Sequence, residues 1–225
     1  MDYKFIVRTP LFAGLSEYEA EIMLKYLGAS EREYSREGVI YYVGQKIRRL
    51  GLLLSGGVNV VRTDVWGNQN IIGHIMPGEV FAETYACIPG EAMQADVVAA
   101  VRSAVLFLDI ERVMAKDVPA EARPEHVIRN LLTILASKNL YLTQKMNHIT
   151  PKTIRERILS YLSQEAVRQG RRNITIPFNR QQLADYLSVD RSALSGELSK
   201  MQKEGLLLFK KNQFELLGDA ASPHS

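Results

Sequence analysis

Hydrophobic residues between about positions 30 and 108 come in short runs that glycines separate. The runs at 39–43, 52–54, 58–61 and 71–72 are rich in β-branched and aromatic residues, which is typical of strands joined by turns. Several such strands at nearly regular intervals predict an antiparallel β-roll, or jelly roll, which shelters strand edges. Before this region, Ser16 is predicted to cap a short helix ending at Tyr26, because Glu17 and Glu19 complement its positive end.

The pattern changes near Pro124, where a segment without glycine or internal proline extends to Ile149 and predicts one long helix. Apolar residues recur every seven positions along it, at Ile128, Leu135, Leu142 and Ile149. Other apolar residues lie beside this row, at Leu131, Leu132 and Met146. Polar residues interrupt the accompanying row, at Lys138, Asn139 and Lys145. Such a recurrence favours a two-stranded coiled coil and therefore a homodimer. The alternative is a helix that packs only on its own domain. The predicted dimer seam comprises Ile128, Leu131, Leu135, Leu142, Met146 and Ile149.

A new helix is predicted to begin at Thr150 and Pro151, since threonine caps helix starts and proline is tolerated at the first helical position. This junction is the predicted domain boundary. Residues 1–123 are then a β-roll sensor domain, 124–149 a dimerisation helix and 150–218 a C-terminal domain, with a frayed tail from Gly218. The shortness of the junction implies that the domains are coupled.

Residues 179–201 predict two short helices separated by a tight turn. Asn179 and Gln182 form a capping-box start for the first helix, and Asp190 can cap the second. The buried faces are predicted to comprise Leu183, Ala184 and Leu187 of the first helix and Ala193, Leu194, Leu198 and Met201 of the second. This pattern indicates a helix-turn-helix, in which the second helix enters the major groove of DNA.

The outer face of the second helix is predicted to expose Arg191, Ser192, Ser195 and Lys200. Arg191 can reach guanine or a phosphate, the two serines can bond bases or phosphates, and Lys200 suits the DNA backbone. Each could alternatively be an ordinary solvated residue. The complete predicted DNA-binding set is Arg180, Gln181, Asp190, Arg191, Ser192, Ser195, Gly196, Lys200, Lys210 and Lys211.

Two apolar runs, 205–209 and 213–217, flank the basic residues Lys210 and Lys211. This arrangement predicts a β-hairpin with a basic tip, and residues 175–178 are predicted to add a strand to it. The complete fold class is therefore α+β, with an antiparallel β-roll, a long dimerisation helix and a C-terminal winged helix-turn-helix. A basic hairpin tip beside a reading helix is suited to phosphate contact.

Charge and composition support this assignment. Residues 1–149 carry 16 Lys/Arg against 17 Asp/Glu, whereas residues 150–217 carry 12 against 7, so the C-terminal part is the candidate polyanion binder. No long uncharged apolar stretch or cleavable leader is evident, which predicts a cytoplasmic protein without a membrane partner. The single cysteine, Cys87, cannot form an internal disulfide or a multi-thiolate metal site. We expect no cofactor or metal.

The order of parts resembles the CRP/FNR family of bacterial transcription regulators over nearly the whole chain. The matching segments are Pro10–Leu15 (PLFAGL), the glycines Gly38 and Gly44 after Glu37, Leu54–Val60 (LSGGVNV), Pro77–Glu83 (PGEVFAE), Arg180–Ala184 (RQQLA) and Asp190–Ser192 (DRS). The resemblance implies a dimer on a palindromic operator, contact with RNA polymerase and a small-molecule effector that alters the geometry of the two reading heads. It places the effector between the roll and the long helix, at Ala82, Glu83, Tyr85, Met93, Gln94, Asn139 and Thr143, although these residues could also simply pack.

Two departures from the family pattern change what the resemblance implies. Relatives that bind cyclic AMP have a Gly-Glu pair and, further on, an arginine that neutralises the phosphate. Here the pair is Ala82 and Glu83, and Met93 stands where that arginine is expected. Methionine cannot balance a buried phosphate charge, so we expect no cyclic AMP binding. In the reading helix, Gly196 stands where many relatives carry an arginine, which predicts an atypical operator affinity or preference.

Other functions fit the sequence less well. A metal-dependent β-barrel enzyme of the cupin type needs clustered ligands, whereas the four histidines are scattered. No nucleophile elbow, P-loop or dinucleotide fingerprint is present, so we expect no enzyme activity. Haem remains an alternative cofactor, because His74, His126, His148 and Cys87 are conceivable axial ligands. A scaffold module would leave the basic winged element without a role.

Overall fold

The structure is a computed structural model that describes residues 1–114, 121 and 123–217. The chain folds into two compact units, Met1–Ala136 and Ser137–Ser225. The tail from Gly218 to Ser225, which the sequence predicts to be frayed, lies outside the described residues. In the part of the chain that is described, no helix combines the length and apolar character needed to cross a membrane.

The N-terminal unit contains the predicted antiparallel β-roll. Its strands are β1 Ser30–Tyr34, β2 Val39–Tyr41, β3 Leu50–Ser55, β4 Val58–Thr63, β5 Gln69–Ile75, β6 Val80–Phe81, β7 Asp96–Ala99 and β8 Ser103–Leu108. They form two four-stranded sheets with the orders β1-β8-β3-β6 and β2-β7-β4-β5. The strand predicted at 39–43 stops at Tyr41, since the Tyr42 and Val43 amides donate to the side chains of Gln45 and Asp96.

Short helices lie before and within the roll: α1 Tyr3–Ile6, α2 Glu17–Tyr26 and α3 Glu83–Cys87. The predicted cap of α2 is confirmed as a complete capping box, in which Ser16 accepts from the Glu19 amide and Glu19 accepts from the Ser16 amide. The hydrogen bonds from Ser16 and the contact with Arg123 lower the pKa of Glu19 to about 2. The α2 residues Met23 and Leu24 belong to the main apolar core of this unit.

The long helix has the predicted bounds, α4 Pro124–Ile149, and the division between the two units falls inside it. The prediction that a new helix begins at Thr150 and Pro151 is wrong. Thr150 instead ends α4, because its amide and its hydroxyl both donate to the Met146 carbonyl. The next helix is α5 Ile154–Gln169, whose N-cap Thr153 forms a reciprocal capping box with Glu156.

The rest of the C-terminal unit is a winged helix-turn-helix. Its elements after α5 are β9 Asn173–Thr175, α6 Arg180–Leu187, α7 Arg191–Lys203, β10 Leu207–Lys210 and β11 Gln213–Leu216. The strands form an antiparallel sheet with the order β10-β11-β9. The strand predicted at 175–178 is shifted to 173–175, because Pro177 has no amide hydrogen with which to continue a ladder. The predicted hairpin is confirmed, with Lys211 and Asn212 as its turn.

Candidate nucleic-acid interface

The two helices of the helix-turn-helix begin with the predicted caps. Asn179 accepts from the Gln182 amide at 3.0 Å, and Asp190 accepts from the amides of Ser192 and Ala193 at 2.8 and 2.9 Å. The hydrogen bond from the Ser192 hydroxyl, together with those from the two amides, lowers the pKa of Asp190. The carboxylate of Asp190 therefore fixes the start of α7 in the free protein, which favours a capping role over a direct DNA contact.

The buried faces of α6 and α7 are largely as predicted. The side chains that are at most 1% exposed are Leu183, Ala184, Leu187, Leu194, Leu198 and Met201. Ala193 is the exception and is wrong as a core prediction, because it is exposed in the first turn of α7. The buried apolar row of α7 thus begins at Leu194, and the residues of α7 before Leu194 are exposed.

The outer face of α7 carries most of the predicted DNA-reading residues. Arg191, Ser192, Gly196 and Lys200 are exposed, and Ser195 is half-buried. A Cβ added at Gly196 would have nothing within 4 Å. Packing within the chain therefore does not require glycine at this position, and the surface there is free for an external partner.

The start of α6 packs against the wing. The guanidinium of Arg180 lies over the rings of Phe209 and Phe214, 4.9 and 5.8 Å from their centroids. Burial lowers the pKa of Arg180, but the cation stays charged at neutral pH because the ordinary value is so high. Arg180 thus has a structural role in addition to the predicted DNA role. The predicted contact residue Gln181 donates to Asp185 at 2.8 Å.

A cavity of about 470 Å³ lies between the start of α6 and the wing tip. It is lined by Pro177, Phe178, Asn179, Arg180, Gln182, Lys211 and Asn212. The two predicted wing cations, Lys210 and Lys211, are exposed. A cationic hairpin tip and a helix N-terminus on one side of a cavity are the chemistry that binds phosphate groups.

Sequence reasoning missed two arginines of α5 that hold the helix-turn-helix together. Arg155 forms ion pairs with Glu197 and Glu204 of the α7 segment. Arg157 donates to the carbonyls of Pro151, Leu187 and Ser188, and thereby caps the end of α6 and joins it to the α4–α5 connection. Because the partners are 30 or more residues away or are backbone atoms, no local spacing indicated these contacts.

His148, near the end of α4, is buried in the aromatic core of the C-terminal unit. Its side chain is only 3% exposed, its Nδ1 lies 2.9 Å from the Ser160 hydroxyl, and its ring meets Tyr161 edge to face at 5.5 Å. Burial lowers the pKa of His148, against the opposing effects of Gln164 and Glu165. The end of α4 is thus packed onto α5 through a neutral imidazole.

The predicted dimer seam is partly occupied by the chain itself. Leu131 is 8% exposed and belongs to the core of the N-terminal unit, and Ile128 and Leu135 pack against that core. Leu131 is therefore corrected from seam to core residue, because it lies on the inner side of α4. Further along, Leu142 and Met146 are 58% and 62% exposed, and Leu132, outside the predicted set, is also 62% exposed. Ile149 is half-buried.

The predicted effector residues of the roll are packed to different degrees. Met93 is 4% and Glu83 5% exposed, and Met93 belongs to a core cluster with Phe81 and Val97. Ala82 adopts a left-handed conformation with φ 59°. The Tyr85 hydroxyl accepts from the amide of Gln94 at 3.3 Å, and Gln94 itself is exposed. In the C-terminal unit, the Thr143 hydroxyl lies 3.5 Å from the amide oxygen of Asn139. The combined pocket stays a prediction.

These parts define a class of protein, in which a β-roll is followed by a long helix and a winged helix-turn-helix. Residues 31–116 match the cyclic nucleotide-binding domain family, and residues 156–218 match the Crp-like helix-turn-helix domain family. The Cyclic AMP receptor protein of Thermus thermophilus is 27% identical over 199 residues, which are 88% of each chain.

Solved structures agree with these matches. The Catabolite Activator Protein of Thermus thermophilus has 25% sequence identity and a TM-score of 0.50 over 95% of both chains. The c-di-GMP responsive global regulator CLP of Xanthomonas campestris has a TM-score of 0.55 over 89% of this chain and 99% of its own. Its 17% identity shows a common fold alone. The chain belongs to the CRP/FNR family of transcription regulators, whose members are not enzymes.

Proposed function

We propose that this protein is a sequence-specific regulator that binds a palindromic operator as a homodimer. The observation that carries the proposal is the outer face of α7, where Arg191, Ser192 and Lys200 are exposed on the side away from the buried row of Leu194 and Leu198. A helix held in this way presents its first turns to base edges in the major groove. The three-part division at 1–123, 124–149 and 150–218, the contact with RNA polymerase and the cytoplasmic location are parts of this proposal.

The wing supports backbone binding beside the reading helix. Lys210 and Lys211 are exposed at the tip of the hairpin, and Lys211 has the left-handed conformation of a tight turn, with φ 58°. Lysines at such a tip neutralise phosphates and release counterions, which makes the affinity fall steeply with salt. Base contacts from α7 then add sequence preference to this general affinity.

A titration of fluorescent duplex DNA over a range of KCl concentrations tests the DNA-binding function. We expect a steep linear fall of log affinity with log salt, and the double variant Lys210→Ala with Lys211→Ala should flatten the slope by about two. The variant Arg171→Ala, an exposed cation outside the predicted set, is the matched control. No binding even at low salt would contradict the DNA-binding function, whereas salt-independent binding would contradict the proposed phosphate contacts.

A second copy of the chain is the proposed partner of α4. Leu132, Leu142 and Met146 are exposed, and with Leu135 and Asn139 they follow the alternating three-and-four spacing of a coiled coil. Exposed apolar residues in such a row are typical of an interface. An asparagine within the row is suited to fixing the register of two paired helices.

Sedimentation analysis tests this dimer with a matched pair of substitutions. Leu142→Glu, within the row, should produce monomers and lower the affinity for a two-half-site duplex by about 100-fold or more, since the two heads no longer bind together. Leu140, which lies off the row, has the same 58% exposure. Leu140→Glu should therefore leave the dimer intact. Dissociation by both substitutions, or by neither, would argue against this seam.

We further propose that the effector is a molecule other than cyclic AMP, or that none is needed. A methionine at position 93 cannot balance a phosphate, and its side chain already fills the core of the roll. Calorimetry with the full-length protein should show no saturable heat with cyclic AMP. Saturable binding at about micromolar concentration would contradict this part of the proposal.

A further inference from the structure

One arginine of α5 holds two carboxylates of the reading-helix segment. Arg155 Nε donates to Glu197 Oε1 at 2.6 Å, Nη1 lies 2.7 Å from Glu204 Oε2, and Nη2 donates to Glu204 Oε1 at 3.0 Å. The Glu197 side chain is 18% exposed and that of Arg155 36%. The hydrogen bonds to Glu204 and Glu197 raise the pKa of Arg155. The guanidinium is therefore charged and committed to partners within the protein.

Two of these charges are placed against the preference of their own helices. Arg155 is the second residue of α5, where the positive end of the helix dipole disfavours a cation. Glu204 is the C-cap of α7, where the negative end disfavours an anion. Local helix stability therefore does not explain either residue. The ion pairs between them do.

The ion pairs with the two acidic residues allow Arg155 to fix the orientation of α7. Glu197 and Glu204 are seven residues apart, which is about two turns and about 10 Å along the axis of a helix, on nearly the same face. Contacts at two points along one face oppose both rotation and sliding of the helix. The apolar contacts of Leu194 and Leu198 lack this directionality.

We propose that Arg155 is a positioning residue for DNA reading. It sets the rotation of α7 about its axis and therefore the direction in which Arg191, Ser192 and Lys200 point. This inference rests on the proposed DNA-binding function. It assigns Arg155 no contact with DNA. A Lys residue would not replace it, because an ammonium group lacks the planar fork that holds two carboxylates at once.

The competing explanation is that Arg155 leaves its acidic partners and binds a phosphate, as basic residues of DNA-binding domains commonly do. The two roles differ in what they change. A phosphate contact adds affinity for every sequence and contributes about one to the salt slope. A positioning residue affects the preferred sequence and leaves the slope unchanged, because it neutralises no phosphate.

The test uses the full-length protein, a duplex enriched from a random pool by the wild-type protein, and a scrambled duplex of the same composition. For Arg155→Gln we expect about tenfold weaker binding to the selected duplex, less than about twofold on the scrambled one, and an unchanged salt slope. Arg155→Lys should lose part of the preference. Glu204→Gln removes the carboxylate at the end of α7 that is far from Arg191 and Ser192, and it should lose less preference than Arg155→Gln.

A thermal melt of each variant distinguishes a change in the orientation of α7 from a loss of folded structure. If Arg155→Gln is unfolded, Glu204→Gln decides the question, because removal of an exposed C-cap carboxylate relieves the helix dipole and leaves the fold intact. Equal losses on both duplexes with a slope smaller by about one would overturn the inference in favour of a phosphate contact. Unchanged preference in folded variants would overturn it as well. Failure of the wild-type protein to enrich any sequence would instead count against the proposed function.

Discussion

The two domains of this chain carry their predicted ligand sites in opposite ways. In the winged domain, Arg191 and Lys200 are exposed on helix α7, whose other face is fully packed. In the β-roll, the predicted pocket residues Met93 and Glu83 are 4% and 5% exposed. The winged domain therefore presents polar side chains outward, whereas the roll buries two of its predicted pocket residues.

This difference shows how each site depends on its surroundings. A DNA-reading helix needs only one buried face, and its outer residues can then change without loss of packing. A pocket inside a β-roll is bordered by core residues, and Met93 belongs to the core cluster around Phe81. We infer that changes in the roll alter stability, whereas changes on α7 alter binding.

The largest effect should come from Met93→Ala. Because the side chain is buried, its removal should lower the free energy of unfolding by about 2–5 kcal/mol. Gln94→Ala, at the exposed neighbour, should change it by less than about 0.5 kcal/mol. Urea unfolding measures both values. If Met93→Ala cost no more than the Gln94 control, the roll would not be packed around this residue.

Next in size is Arg191→Ala. If the proposed role of Arg191 is a bidentate base contact, its loss should weaken binding to the selected duplex by about 1–3 kcal/mol and relax sequence preference, with no change in thermal stability. Arg168→Ala, which removes an exposed cation paired with Glu165 on α5, is the control. Fluorescence anisotropy on selected and scrambled duplexes distinguishes the two variants. Identical behaviour would remove Arg191 from the reading face.

Two substitutions at Gly196 test stability and DNA binding separately. Since a Cβ there meets nothing within 4 Å, Gly196→Ala should raise the free energy of unfolding by about 1 kcal/mol through helix propensity. Gly196→Arg should tighten operator binding, because it adds a cation to the exposed face of α7. Urea unfolding and duplex titration measure the two effects. Unchanged operator affinity of Gly196→Arg would show that position 196 makes no contact.

The smallest effect concerns His148, which is packed like a core residue within the winged domain. Burial lowers its pKa below the ordinary value of 6.5, so the unfolded chain binds the proton more readily. The stability that neutral His148 provides is therefore complete above about pH 6.5 and declines as the pH falls towards the folded pKa. Melting curves between about pH 7.5 and pH 5.5 should show this decline, and His148→Gln should reduce it. His74→Gln, at an exposed histidine, should not.

The sequence predicted the elements whose signals are local. The cap at Ser16, the capping box at Asn179, the bounds of α4 and the basic hairpin all follow from residues within a few positions of each other, and the structure confirms them. The sequence pattern places the start of α5 too early, at Thr150, because Thr150 and Thr153 are both residues that can cap a helix. Only Thr153 has a glutamate three residues later with which to complete a capping box.

The hydrophobic and polar order of this chain by itself determined the class of fold and the exposed face of α7, because periodicity and caps are encoded between near neighbours. The tertiary structure alone decided that Leu131 is a core residue, that Arg180 stacks on the wing and that Arg155 forms an ion pair with α7. These contacts join residues far apart in the chain. Their partners are chosen by packing in space, which no local pattern records.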